Sequence, residues 1–213
     1  MFRDRDDAGR QLARLLRPYE GQDAVVLGIP RGGVPVAHAV ARELRAPLDI
    51  VAVRKLPIPF DPEAGFGAVS PEGAVVLNDD LVLRTRLAPD EVRAISADVA
   101  REVRRREREY RRGREALSVK DRPALVVDDG LASGYTMLAA IGSVLARGAS
   151  KVAVAVPCAS ASALDLVMRR AGEVYCIVRS EEPVFAVASF YDAFPDLTDD
   201  EVRGHLDRAA AGD

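Results

Sequence analysis

The sequence predicts an α/β fold in which helices flank a parallel, twisted sheet. Short runs of Val, Leu, Ile and Ala alternate along the chain with segments of helical periodicity. These runs are continuous in apolar residues, which is typical of strands that are buried on both faces of a parallel sheet. Repeated strands and helices favour a doubly wound arrangement. A chain of 213 residues fits one domain with an appendage better than two domains, so we expect a single domain over 1–213.

The predicted elements follow one another at regular spacing along most of the chain. Gly28 and Pro30 close the first strand, and Pro157 stops the fourth. The predicted strands cover 24–27, 48–53, 124–127, 152–156 and 174–178. The predicted helices cover 34–44, 89–116, about 135–147, 161–170 and about 199–209.

Residues 56–80 interrupt this pattern and are rich in proline and glycine. Their centre predicts a hairpin in which the strands 67–70 and 74–77 flank a turn at 71–73. Long irregular segments in compact domains are usually functional or disordered. We therefore expect residues 56–80 to contribute to function.

The helix predicted over 89–116 is rich in arginine, which raises the possibility of a nucleic-acid interface. Glutamates are interleaved, however, and two pairs, Glu102 with Arg106 and Glu107 with Arg111, have i,i+4 spacing. A solvated face that pairs its own charges is the better interpretation.

Arg106 is the exception on this helix, because it lies at the angular centre of the apolar stripe. The stripe consists of Val92, Ile95, Val99, Val103 and Tyr110. A charge that points toward the core side needs a partner or an anionic ligand. Arg106 is therefore a candidate site residue.

Composition and charge exclude several classes of protein. Apolar residues make up 48% and charged residues 30% of the chain, which is the balance of a globular protein and not of a disordered one. No apolar run is long enough to cross a bilayer, and the charged N-terminus does not resemble a secretory signal, so we expect no membrane partner. The net charge of −3 argues against bulk binding to nucleic acid.

The few cysteines and histidines do not form a metal-binding pattern. Cys158 and Cys176 lack Cys-x-x-Cys spacing, which makes a disulfide scaffold or a zinc site improbable and favours a reducing cytoplasm. Both cysteines are predicted to be buried. His38 lies in an apolar helix and is predicted to be structural, whereas His205 is predicted to be exposed.

The segment 126–137, Val-Val-Asp-Asp-Gly-Leu-Ala-Ser-Gly-Tyr-Thr-Met, carries the most chemical information. An apolar strand delivers two carboxylates, Asp128 and Asp129, to its C-terminal edge, where ligands bind in open α/β sheets. Small residues and hydroxyls then precede a helix N-terminus, which favours an anion. Either half alone is an ordinary feature. Together they suit a ligand with both a phosphate and sugar hydroxyls, such as a ribose 5-phosphate, and the carboxylates also suit Mg²⁺, directly or through water.

This run resembles the phosphoribosyl diphosphate binding motif of the type I phosphoribosyltransferases. The resemblance implies that Asp128 and Asp129 hold the ribose hydroxyls and Mg²⁺, the cofactor of the family. It also implies that the following loop binds the 5-phosphate and the ribose. That loop comprises Gly130, Ala132, Ser133, Gly134, Tyr135 and Thr136.

A second segment, Gly-Ile-Pro-Arg-Gly-Gly at 28–33, resembles the pyrophosphate loop of the same family. It follows a strand and opens a helix, but it matches neither the dinucleotide fingerprint nor a P-loop. What remains is a turn that exposes its backbone and carries one fixed cation, suited to bidentate contact with phosphate oxygens. A tight turn with a surface arginine is the alternative.

The cations after the second predicted strand are placed at the same edge of the sheet. The resemblance assigns them to the pyrophosphate as well, whereas a strand-end charge in water is the alternative. The residues implied for pyrophosphate binding are Arg31, Gly32, Gly33, Arg54 and Lys55. The residues expected to act in the reaction are Arg31, Lys55, Asp128 and Asp129.

The resemblance covers nearly the whole chain and extends to predicted bacterial phosphoribosyltransferases of unassigned acceptor. It implies Mg²⁺-dependent transfer of a 5-phosphoribosyl group from phosphoribosyl diphosphate to a small nitrogenous acceptor, with release of pyrophosphate. Water must be excluded from the reacting sugar, so residues 56–80 become the expected lid. A homodimer is expected. The alternative is a non-catalytic sensor or regulator that binds phosphoribosyl diphosphate or a nucleotide, because fold alone does not establish activity.

The tail, residues 181–213, is the expected hood over the acceptor. It holds Phe185, Phe190, Tyr191 and Phe194, of which Phe190 and Tyr191 are candidates to stack on a base; packing is the alternative for each ring. In 6-oxopurine members of the family, the third residue after the second acid is an aspartate that exchanges a proton with the purine. Ala132 stands there in this sequence, as a small residue does in the adenine and orotate members.

Overall fold

The computed structural model describes residues 1–212, apart from the side chains of residues 62 and 63. Within that part, eight strands form a five-stranded and a three-stranded sheet. The strands are β1 (Val25–Gly28), β2 (Leu48–Ile50), β3 (Arg54–Ile58), β4 (Asp61–Val69), β5 (Val75–Leu77), β6 (Pro123–Val127), β7 (Lys151–Ser160) and β8 (Glu173–Ser180). The larger sheet has the order β2-β1-β6-β7-β8 and every pair in it is parallel. The predicted fold class is therefore confirmed.

Helices cover both faces of the larger sheet, because its central strands present apolar side chains on both sides. The helices are α1 (Arg5–Leu15), α2 (Gly33–Leu44), α3 (Asp79–Thr85), α4 (Pro89–Arg111), α5 (Tyr135–Ala146), α6 (Ala161–Met168) and α7 (Asp199–Ala211). Along β1, Val25 and Leu27 pack with α5 and α6, whereas Val26 packs with α1 and α2. All three valine and leucine side chains are fully buried.

The smaller sheet is antiparallel, with the order β3-β4-β5, and packs against α4 around the buried Phe66. The predicted hairpin around 71–73 is confirmed by the pairing of β4 with β5. The structure differs from the predicted elements here in two respects. The second predicted strand ends at Ile50, and Arg54 and Lys55 begin β3. The helix α3 was not predicted, although Asn78 caps it by accepting a hydrogen bond from the Leu81 amide.

The strand β7 continues to Ser160, past the proline that was predicted to stop it. Its neighbour β6 ends at Val127, which is paired with Ala155, so the edge of β7 that faces β6 is free of a strand beyond that point. Proline is tolerated where a strand has such a free edge. Residues on both sides of Pro157 are paired with β8: Val156 with Cys176, and Cys158 with Val178.

The two chain ends are joined beside the larger sheet, an arrangement the sequence did not predict. The helix α1 begins at the cap Asp4, and its buried Leu12 faces α2. Ahead of it, the Phe2 amide donates to the Phe190 carbonyl, and the Phe2 carbonyl accepts from the Asp192 amide, both at 2.8 Å. The N-terminal segment and the tail therefore form one unit.

Two smaller expectations are corrected by the packing of α7 and β8. His205 is half-buried and not exposed, because its Nδ1 lies 2.9 Å from Nδ1 of His38 on α2. Burial and the nearby Arg208 lower the pKa of His205 to about 4. Cys176 is half-buried because β8 is an edge strand, whereas Cys158 is buried as predicted. None of the helices in residues 1–212 combines the length and apolarity needed to cross a membrane.

Candidate functional site

The candidate site lies where β1 and β6 end side by side. Gly28 is in register with Val127, so the loops that follow these two strands leave the sheet at the same edge. The chain runs from β1 to β2 on one side and later returns to β6 on the other, which makes this crevice the topological switch point of the sheet. Open α/β sheets bind their ligands at such points.

Two glycines of the 28–33 loop are required by how closely this loop approaches the acidic pair. A Cβ at Gly32 would lie 1.9 Å from Oδ2 of Asp129, and a Cβ at Gly33 would lie 2.6 Å from the Val127 carbonyl oxygen. Both distances are shorter than any real contact, so a side chain at position 32 would displace the Asp129 carboxylate, and one at position 33 would clash with backbone atoms. The peptide bond between Pro30 and Arg31 is cis. The two segments that resemble substrate-binding motifs are thus in direct contact.

The two carboxylates differ in their surroundings. Oδ1 of Asp128 accepts a hydrogen bond from the Asp129 amide at 2.9 Å. Burial, and then the neighbouring negative charge of Asp129, raise the pKa of Asp128 well above its usual value. Burial also raises the pKa of Asp129, although a nearby guanidinium opposes this shift. The pKa of Asp128 is therefore raised more than that of Asp129.

Arg5 supplies that guanidinium, and sequence reasoning missed it. Its Nε lies 2.9 Å from Oδ2 of Asp129, its Nη1 donates to the Pro195 carbonyl at 2.8 Å, and its guanidinium carbon lies 3.7 Å from the centre of the Phe194 ring. The residue is only 8% exposed. No local motif marks it; the one available signal was an arginine placed one residue after the helix cap Asp4.

The loop after the acids is fixed from two sides. The Leu131 amide donates to the Cys158 carbonyl, and Oγ of Ser160 donates to the Ala132 carbonyl, both at 2.9 Å. These contacts use the extension of β7 beyond Pro157. On the other side, a Cβ at Gly130 would lie 2.6 Å from a methyl group of Val187 in the tail.

The end of this loop forms the N-terminus of α5. Gly134 caps the helix with a φ of 82°, a conformation that favours glycine. Ala132 and Ser133 are exposed, and Tyr135 and Thr136 are half-buried in the first turn. The helix has 12 residues, so its free amides and dipole favour an anion beside the exposed part of the loop.

A basic cleft of about 370 Å³ lies beside the 28–33 loop. Its walls carry the four cations that the sequence singled out, from three different elements: Arg31, Arg54, Lys55 and Arg106. Arg106 therefore lies with the other candidate residues although it is distant from them in sequence. Two carboxylates border the cleft: Glu102 contacts Arg54 and Arg106, and Asp199 lies 3.9 Å from Arg31.

The aromatic tail contacts the back of the acidic pair. The hydroxyl of Tyr191 donates to the Asp129 carbonyl at 2.7 Å, and its ring packs between Phe2 and Phe194 with only 6% exposure. This placement favours the packing alternative for Tyr191 over stacking on an acceptor. Phe190 is half-buried and lies against Phe185, with ring centres 5.2 Å apart.

The acidic pair is compatible with Mg²⁺ only if the substrate supplies further ligands. Among the residues described, no group of three or more histidine, cysteine or acidic side chains could hold a metal ion. Mg²⁺ commonly uses one or two carboxylates together with substrate oxygens and water. Asp128 and Asp129 fit that donor set.

Comparison with known proteins gives the family and the fold of the chain. The family model described as "Phosphoribosyl transferase domain" matches residues 5–56 and 71–190. A protein of Mycobacterium tuberculosis strain H37Rv, named "Putative phosphoribosyl transferase", is 47% identical over 212 residues. That alignment covers 98% of this chain and 47% of the relative, so the chain spans about half the length of the curated relatives it matches.

Solved structures share the fold over almost the whole chain. The crystal structure of TT1426 from Thermus thermophilus is 40% identical, with a TM-score of 0.80, and the match covers 96% of this chain and 97% of that one. A protein of Neisseria gonorrhoeae with bound ppGpp is 16% identical over 98% of both chains, with a TM-score of 0.50, and supports the fold alone. The matched family model covers most of the chain, including both loops of the site, and the chain therefore belongs to the phosphoribosyl transferase family.

Proposed function

We propose that this protein transfers a 5-phosphoribosyl group from phosphoribosyl diphosphate to a small nitrogenous acceptor and releases pyrophosphate. One observation carries the proposal: the acidic pair contacts the 28–33 loop, and the basic cleft opens beside that loop. In a ligand with ribose hydroxyls and a pyrophosphate group, the hydroxyls would face the acidic pair and the pyrophosphate would face the basic cleft. Family membership supports the class of reaction.

The chain would act on this ligand by positioning and by electrostatics. Asp128 and Asp129 would accept hydrogen bonds from the ribose hydroxyls, while the N-terminus of α5 would bind the 5-phosphate. The cations of the cleft would stabilise the charge that builds on the departing pyrophosphate. The acceptor nitrogen would attack the anomeric carbon as its bond to pyrophosphate breaks, so that little covalent work by side chains is needed.

Mg²⁺ is part of the proposal as a cofactor that Asp128 and Asp129 would hold. When bound, it would neutralise charge on the pyrophosphate oxygens. Asp128 has to lose its proton to contribute a charged ligand, so the affinity for the metal complex is expected to rise with pH through its raised pKa.

Titration of phosphoribosyl diphosphate, followed by an assay of pyrophosphate release with a panel of heterocycles, tests the proposal. We expect binding that requires Mg²⁺ and pyrophosphate release with at least one acceptor. Binding without release for every acceptor would favour the sensor or regulator, and absence of binding would contradict both functions.

Substitution of the cations in the cleft is expected to affect binding of the pyrophosphate group of the substrate more than binding of its ribose 5-phosphate. Arg31→Ala and Lys55→Ala are each expected to weaken phosphoribosyl diphosphate about tenfold or more, because a charged hydrogen bond contributes roughly 1.5–3 kcal/mol. Ribose 5-phosphate lacks the pyrophosphate group and should lose much less affinity. Calorimetric titration of both ligands measures the difference. Arg105→Ala is the matched control, since Arg105 pairs with Glu109 on the exposed face of α4; equal losses for both ligands would contradict the assignment.

The lid is expected to move at one end only. Its 71–73 turn is anchored: Glu72 accepts a hydrogen bond from Ser143 on α5 at 2.8 Å, and the Pro71 carbonyl accepts one from Arg104 at 2.9 Å. The turn between β3 and β4 is more open, and Phe60 there is 72% exposed. Hydrogen exchange should therefore be fast around this turn in the free protein and slow when phosphoribosyl diphosphate and Mg²⁺ bind. Full protection of the β3–β4 turn without ligand would refute its gating role.

A further inference from the structure

One carboxylate oxygen bridges two cations of the basic cleft. Oε1 of Glu102 lies 2.7 Å from Nη1 of Arg54 and 3.2 Å from Nε of Arg106. The three side chains are between 34% and 39% exposed, so the cluster can be reached from the cleft. Arg54 begins β3, whereas Glu102 and Arg106 are one turn apart on α4.

This arrangement differs from that of two exposed ion pairs on the same helix. Arg101 pairs with Asp98, and Arg105 pairs with Glu109. Three of these four side chains are more than half exposed, and none of the four lines the basic cleft. Glu102 alone among these acids holds residues that line that cleft. Its charge therefore offsets part of the positive charge that the cleft offers to an anion.

We propose that Glu102 is the internal counter-ion of the pyrophosphate site. It holds the guanidinium groups of Arg54 and Arg106 while the cleft has no anion, and a bound pyrophosphate group displaces it. This inference rests on the proposed function, because it takes the basic cleft as the place of the pyrophosphate.

The chemistry of the groups gives the exchange its direction. Phosphate oxygens and a carboxylate compete for the same N–H donors of a guanidinium, and a pyrophosphate offers more acceptors and more charge than one carboxylate. The negative charges of ligand and Glu102 also repel each other at this range. Binding must therefore break the two contacts of Glu102, and their recovery favours release of the product.

The test is calorimetric titration of inorganic pyrophosphate with Mg²⁺ into the unmodified protein and into Glu102→Gln. The variant keeps the size of the side chain and removes its charge. We expect the variant to bind pyrophosphate about 3- to 30-fold more tightly. This factor corresponds to two partly exposed ion pairs, which the ligand has to break in the unmodified protein but not in the variant. Glu109→Gln changes the net charge equally on the same helix and should leave the affinity unchanged.

The affinities of the two proteins for pyrophosphate distinguish the counter-ion role of Glu102 from the proposed function. If the unmodified protein binds pyrophosphate and Glu102→Gln binds it equally or more weakly, the counter-ion role is refuted while the proposed function stands. If neither protein binds pyrophosphate, the cleft is not the pyrophosphate site, and the placement made under the proposed function fails too. Glu102→Ala is the second variant, and a circular dichroism spectrum shows that each variant is folded; tightening in both variants supports the inference.

Discussion

Asp128→Asn is expected to weaken the Mg²⁺ complex of phosphoribosyl diphosphate by about 10- to 150-fold while stabilising the fold at high pH. The loss of affinity corresponds to one charged hydrogen bond, roughly 1.5–3 kcal/mol. The gain in stability follows because the native protein buries this carboxyl beside Asp129, and burial disfavours its ionised form. Asparagine keeps the shape, and its oxygen can still accept from the Asp129 amide.

The pH dependence of this effect has a definite sign. The native pKa of Asp128 lies above the value of 3.8 that applies to the unfolded chain, so between the two values the native state binds more protons. The free energy of unfolding of the unmodified protein therefore falls as pH rises through that window. Denaturation of the unmodified protein and of Asp128→Asn over a pH series measures the contribution of this carboxyl to the free energy of unfolding. If the difference in that free energy between the two proteins does not grow with pH, the assignment is contradicted.

Asp129→Asn is expected to behave differently, because Asp129 forms a largely buried ion pair with Arg5. Arg5 keeps its contacts with Pro195 and Phe194 but loses its charged partner, so this variant should have a free energy of unfolding roughly 1.5–3 kcal/mol lower than that of Asp128→Asn. Asp98→Asn on the exposed face of α4 is the control for both variants, and unchanged ligand affinity in both would refute the role of the pair.

Hypoxanthine and guanine are expected to be poor acceptors, by a factor of about 10²–10⁴ in rate. General acid–base assistance contributes that much, and Ala132 has no group that can exchange a proton with a purine nitrogen. Its side chain is exposed in the loop, so no neighbour has to be displaced for an acceptor to approach it. Adenine, a pyrimidine or a non-nucleobase nitrogen is expected to react faster.

An assay of pyrophosphate release with each base measures this difference. Ala132→Asp introduces the missing carboxylate and should raise the rate with hypoxanthine more than the rate with adenine. Efficient use of hypoxanthine or guanine by the unmodified protein would refute the prediction. A carboxylate of the tail, such as the exposed Asp192, would then be supplying the proton transfer, and Asp192→Asn would abolish it.

The parallel sheet and both loops of the candidate site could be predicted from the sequence. Continuous apolar runs mark strands that are buried on both faces, and this pattern depends on local composition alone. The same holds for the loops at 28–33 and 128–136, because each is a contiguous segment between a strand and a helix. Even Arg106 could be selected from the sequence, since helical periodicity placed its charge on an apolar face.

The distant residues that join the candidate site can be recognised only in the folded chain. Arg5 reaches Asp129 across 124 positions of sequence, and Glu102 reaches Arg54 across 48, so no local spacing could indicate either contact. The extension of β7 past Pro157 likewise depends on the early end of β6, which is a property of the neighbouring strand. Contacts of this kind form because the fold brings separate elements to one edge of the sheet. The pattern of apolar residues along one segment does not show which side chains of another segment will lie beside it.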